Sequence, residues 1–93
     1  MGAFRVLLEE QRADAVRQRE VVLSDIATSV PDPVALGRAT SLLETIEEID
    51  AALARIEGGT YGRCAHCGVG IPAERLELRP FAAACVGCQS AAR

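Results

Sequence analysis

From Ala35 onward the apolar positions keep a strict rhythm. Ala35, Ala39, Leu42, Ile46, Ile49, Leu53 and Ile56 follow one another at alternating steps of four and three. That spacing, about 3.5 residues on average, is that of a coiled-coil seam. Between these positions stand Glu44, Glu47, Glu48, Asp50 and Arg55, which the pattern assigns to the solvent face. Asp32 and Pro33 mark the start of the helix. The carboxylate can accept from a free backbone N–H, and proline fits the first helical position, where its own N–H is not needed. Gly58 and Gly59 mark the end, where a left-handed C-cap suits glycine.

The stretch from Phe4 to Thr28 has a looser rhythm. Its best seam runs Val6, Glu9, Ala13, Val16, Glu20, Leu23, Ala27 and Val30, apolar at six of eight positions, with Leu8, Val22 and Ile26 as a flanking stripe. Two helices of about 37 Å each, joined by Ser29-Val30-Pro31-Asp32, predict an antiparallel hairpin. A lone helix of this length is marginal in water, so each seam must be covered by the other. Leu36 and Leu43 lie beside the second seam and either broaden it or mark a partner surface.

Composition supports helices packed on helices. The 93 residues include two Phe, one Tyr and no Trp, with 49% apolar residues, so a single well-filled globular core is not expected. The formal net charge is −3, which argues against sequence-specific or general binding of duplex DNA, where a basic surface is needed to displace counterions. Residues 1–59 carry eleven acids and six Arg, whereas residues 60–93 carry two Glu and four Arg. No run approaches the ~18 apolar residues of a membrane span. Glu9, Glu10, Arg12 and Asp14 break up any leader-like stretch near the start. A cytoplasmic chain with no membrane partner is expected.

In that compartment clustered cysteines point to metal rather than to disulfides. Cys64 and Cys67 form one C-x2-C, Cys85 and Cys88 a second, and seventeen residues separate the pairs. Each pair can set two sulfurs on one ion, and two pairs complete a tetrahedron around zinc. Gly68 and Gly87 suit the tight turns. His66 could compete as a ligand but is expected to be an exposed knuckle residue. A pair of redox dithiols is the other reading of these cysteines, although no βαβ pattern surrounds them. Zinc held by four thiolates has no open position, so its role is structural, and no nucleophile, phosphate loop or paired-carboxylate site suggests an enzyme.

Segment 60–93 is too short to bury much surface by itself. Tyr61, Val69, Ile71, Leu76, Leu78, Phe81 and Val86 are expected to form a minor core that relies on the metal for its folding free energy. Pro72 should open a short helix through Leu76, stopped before Pro80. The predicted fold is mainly α: an antiparallel coiled-coil hairpin over 1–59 with its tip near 29–37, then a small C-terminal four-cysteine zinc finger over 60–93.

Several segments together resemble the DksA/TraR zinc-finger family. They are Ile56 through Cys64, Cys67-Gly68-Val69-Gly70-Ile71-Pro72, Arg75-Leu76-Glu77-Leu78-Arg79-Pro80, and Cys85-Val86-Gly87-Cys88-Gln89. Pro31-Asp32-Pro33-Val34 is similar to the family's coiled-coil tip. The resemblance implies a modulator of transcription that binds bacterial RNA polymerase, with its arm in the secondary channel and acidic tip residues near the catalytic centre. On that reading Asp32, Pro33 and Val34 are tip contacts, and Arg75 and Arg79 are finger contacts.

The tip departs from the family's Asp-x-x-Asp-x-Ala, because Ala35, Leu36 and Gly37 follow Val34 and the second carboxylate is missing. Of the positions implied to contact the alarmone ppGpp, Arg79 is basic but Glu48 and Gln89 are not, which argues against ppGpp. The alternative is a zinc-stapled interaction module, including a homodimer, with no direct effect on transcription.

Overall fold

The computed structural model describes residues 2–28 and 32–91. The predicted turn residues Ser29, Val30 and Pro31 lie outside the described residues. Four helices follow in order: α1 (Gly2–Thr28), α2 (Pro33–Gly58), α3 (Ala73–Leu78) and α4 (Val86–Ala91). Among the described residues there is no strand, only an isolated antiparallel bridge between Arg63 and Gly70. The molecule measures 46 × 31 × 21 Å, and α1, with 27 residues, runs about 40 Å along its long side.

Both ends of α2 form where the sequence predicts. Asp32 is the N-cap in extended conformation, its Oδ1 accepting from the Val34 N–H at 3.0 Å, and Pro33 opens the helix. At the other end Gly59 takes a left-handed φ of 78°. The N–H groups of Thr60 and Tyr61 then both turn back onto the Arg55 carbonyl, at 2.9 and 3.2 Å. A side chain at position 59 would strain this turn. All seven predicted seam positions of α2 are buried or half-buried, and Ala52 joins them with no exposed surface.

The seam of α1 differs from the prediction. Its buried residues are Leu8, Ala15 and Val22, spaced by sevens, with Phe4, Gln11 and Ile26 half-buried alongside. Most of the expected seam instead faces outward: Val6 is 54% and Leu23 39% exposed, and Glu9, Ala13, Glu20 and Ala27 are exposed as well, with Val16 alone half-buried among its described positions. The physical reason is that the predicted seam would have buried two carboxylates without partners. A rotation of the helix removes that penalty and carries Leu8 into the largest apolar cluster of the molecule.

That cluster joins the two halves of the chain. Leu8, Ile49 and Ala52 from the hairpin pack with Tyr61, Ile71 and Leu76 from the finger, with Phe4, Leu53, Ile56, Phe81 and Ala82 packed around them. The Phe4 and Tyr61 rings lie 5.7 Å apart. The Tyr61 hydroxyl donates to the Pro80 carbonyl at 2.7 Å, and Pro80 is fully buried. The expected minor core of the finger is therefore corrected. Val69, Leu78 and Val86 are exposed, and the apolar residues that are buried belong to a core shared with the hairpin. Two exposed ion pairs, Arg5 with Glu57 and Arg12 with Asp50 at 2.6 Å each, cross between α1 and α2. Pairs of this kind contribute little.

Replacing Leu8 with Ala should destabilise hairpin and finger together by about 3 kcal/mol, seen as a single shifted transition in urea unfolding. Leu23→Ala should leave the midpoint nearly unchanged. The reverse order would restore the other seam.

Candidate metal centre

The first C-x2-C sits on a small hairpin. The Cys64 N–H donates to the Val69 carbonyl at 2.8 Å, and the Ile71 N–H to the Gly62 carbonyl at 2.7 Å. Gly68, at φ 78°, makes the reversal, so glycine there answers a backbone need. The second pair opens α4, and the Gln89 N–H closes its first turn on the Cys85 carbonyl at 2.9 Å. Gly87 lies inside that helix and not in a left-handed turn. The Ala65 N–H donates to the Ala83 carbonyl at 2.8 Å and ties the two knuckles together.

This scaffold brings the four predicted cysteines into one cluster. Their sulfurs all lie within 4.8 Å of one another. Zinc with sulfurs at ~2.3 Å demands tetrahedral edges of about 3.8 Å, and Cys67 Sγ lies 3.7 Å from Cys85 Sγ. No disulfide joins the four cysteines. Backbone donors complete the surroundings: the His66 N–H reaches Cys64 Sγ and the Cys88 N–H reaches Cys85 Sγ, each at 3.4 Å. Amides aimed at sulfur stabilise thiolates. His66 is exposed. Four soft donors gathered this closely fit a single structural zinc ion.

The sulfurs do not share charge evenly. The Cys64 thiol is lowered to about 5, because backbone amides of Cys85, Cys67 and His66 point at it. Cys88 is pushed up to about 12, because it donates to the sulfurs of Cys85, Cys67 and Cys64. Hydrogen bonding within the cluster thus favours the thiolate at Cys64 and the protonated form at Cys88, and an incoming cation must displace the thiol protons.

The remaining predicted site residues lie elsewhere. Asp32 and Val34 are exposed at the far end of α2, Val34 by 78%. Together with Val21, Val22, Asp25 and Ala35 they line an open groove of about 450 Å³. Arg75 lies within α3 and Arg79 is its C-cap, and both line a second cavity, of about 220 Å³, where α2 meets the finger. Glu48 and Gln89 line this same cavity. Arg55, which the periodicity assigns to the solvent face, is half-buried and also lines it. Only the pairing of α2 with the 79–84 segment, a non-local contact, could have revealed this.

Comparison with known proteins follows the same outline. Residues 59–92 match the prokaryotic dksA/traR C4-type zinc finger. The RNA polymerase-binding transcription factor DksA of Escherichia coli K12 is 32% identical over 106 aligned positions, covering 99% of this chain and 70% of that protein. A protein of Aquifex aeolicus is 48% identical over 46 residues, half of this chain and 32% of its own length. The solved structure of transcription factor DksA2 from Pseudomonas aeruginosa superposes with a TM-score of 0.77 at 26% identity, covering 96% of this chain and 79% of that one.

Zinc affinity should fall as pH is lowered from 8 to 6, by at least about tenfold per unit, because protons return to thiols that the ion needs as thiolates. Competition with a chromophoric chelator measures this. Affinity independent of pH would mean that the cluster is already fully ionised.

Proposed function

The chain belongs to the DksA/TraR zinc-finger family, and on that basis we propose that it is a non-catalytic, cytoplasmic modulator of transcription that binds bacterial RNA polymerase. The observation that carries this reading is the reach of the similarity. It extends over 99% of the chain, hairpin included, and is not confined to the finger. The alignment is longer than this chain, so the relative carries residues that are missing here.

We assign Cys64, Cys67, Cys85 and Cys88 as the zinc ligands and residues 60–93 as the base that orients the arm. The arm, residues 1–59, enters the secondary channel with Asp32, Pro33 and Val34 leading, while Arg75 and Arg79 contact the polymerase from the finger. Asp32 has two tasks. One carboxylate oxygen caps α2 through the Val34 N–H, and the negative charge at the exposed tip faces the catalytic centre. The alarmone ppGpp has no part in this reading, because Glu48 and Gln89 stand where the family's alarmone contacts are basic.

Asn at position 32 keeps the cap and removes the charge, whereas Ala removes both and costs about 1 kcal/mol of helix stability. In transcription with a matched bacterial polymerase, Asp32→Asn should bind like wild type yet lose most of the effect on transcript yield. Full activity of Asp32→Asn would reduce Asp32 to a cap. Absence of polymerase binding by the wild-type protein, together with a tight homodimer in sedimentation, would favour the zinc-stapled interaction module.

A further inference from the structure

The cavity between α2 and the finger has too few acceptors for its donors. Three guanidiniums line it, those of Arg55, Arg75 and Arg79, and Glu48 is the one carboxylate among the lining residues. Among the described residues none of the three guanidiniums forms an ion pair. Arg55 Nε and Nη2 and Arg75 Nε are buried with no hydrogen-bond partner among the described residues. Leaving charged N–H groups out of water without acceptors is costly unless something supplies the acceptor.

Two of the arginines, Arg75 and Arg79, are also held in place. Arg75 Nη2 donates to the side-chain carbonyl of Gln89, and Gln89 directly follows the zinc knuckle. The Arg79 guanidinium stacks 5.4 Å from the centre of the Phe81 ring. Fixing these long side chains beforehand reduces the entropy lost when a partner arrives.

The shape of the cavity selects the kind of anion. Its remaining lining is apolar, made by Ala51, Phe81 and Ala82 to Ala84. An apolar lining suits the methylenes of a carboxylate side chain while guanidiniums take its head group. A volume of about 220 Å³ lies below the roughly 300–1,000 Å³ usual for small-molecule sites, too little for an enclosed nucleotide.

We propose that this cavity is a socket for an acidic side chain of the polymerase, Asp or Glu, gripped by Arg55, Arg75 and Arg79. Glu48 stands at the same cavity as an internal competitor and lowers the affinity. The inference rests on the polymerase-binding reading above, adds Arg55 to its contacts and specifies the chemistry of the group received.

The test measures binding of the zinc-loaded full chain to matched RNA polymerase, with zinc content and helicity checked for each variant. Arg75→Gln and Arg79→Gln should each weaken binding about tenfold and reduce its salt dependence. Glu48→Gln, an exposed substitution that leaves the core untouched, should tighten binding about threefold by removing a like charge. Guanosine tetraphosphate at millimolar concentration should leave binding unchanged. Wild-type affinity in both arginine variants, or weaker binding by Glu48→Gln, overturns the socket while leaving polymerase binding intact. Displacement by the nucleotide would identify the occupant as a phosphate and overturn it too. A wild-type chain that does not bind polymerase overturns both readings at once.

Discussion

Leu8, Ile49 and Ala52 have no exposed surface, and the same small cluster that covers them also covers Tyr61, Ile71 and Leu76. A chain of 93 residues has too little apolar area for two cores, so hairpin and finger close a single one between them. This sharing fixes the rotation of α1, the position of the finger and the orientation of the arm. The metal acts on the same joint from the other side, because Cys64 is buried beside Tyr61 and Ile71 on one short hairpin. Loss of the ion would therefore be felt along the arm as well as in the finger.

What the sequence made legible follows from locality. The seam of α2, its Asp32-Pro33 start and its glycine end are written in neighbours a few residues apart, and the structure has all three. The four cysteines were legible for a similar reason, since thiolate chemistry and spacing restrict them to few arrangements. The seam of α1 was not. Its apolar residues lie on more than one face, so Val6, Ala13 and Leu23 compete with Leu8, Ala15 and Val22, and the deciding contact comes from a finger some fifty residues away. The helix α4 was missed because a six-residue segment with glycine inside it gives no periodic signal. Helix α3 runs to Leu78, two residues past the expected Leu76, since Pro80 restricts only Arg79 directly.

Arg55 illustrates a second limit. Periodicity places it among solvent-facing charges, and for a bare helix that is right. Packing of the 79–84 segment over α2 converts an exposed arginine into a half-buried one with unsatisfied donors. Charged residues next to a docked module take their surroundings from the module, and these are invisible in the pattern of their own helix.

The alanines inside the hairpin carry a last consequence. Ala15, Ala39 and Ala52 are all buried, and a methyl group keeps two backbones closer than a leucine would. The rod is consequently slim. On the proposed reading, in which the arm threads a narrow channel, the girth tolerated by the opening would set a ceiling on side-chain size deep within the rod, and residues that never touch the host would still be fitted to it.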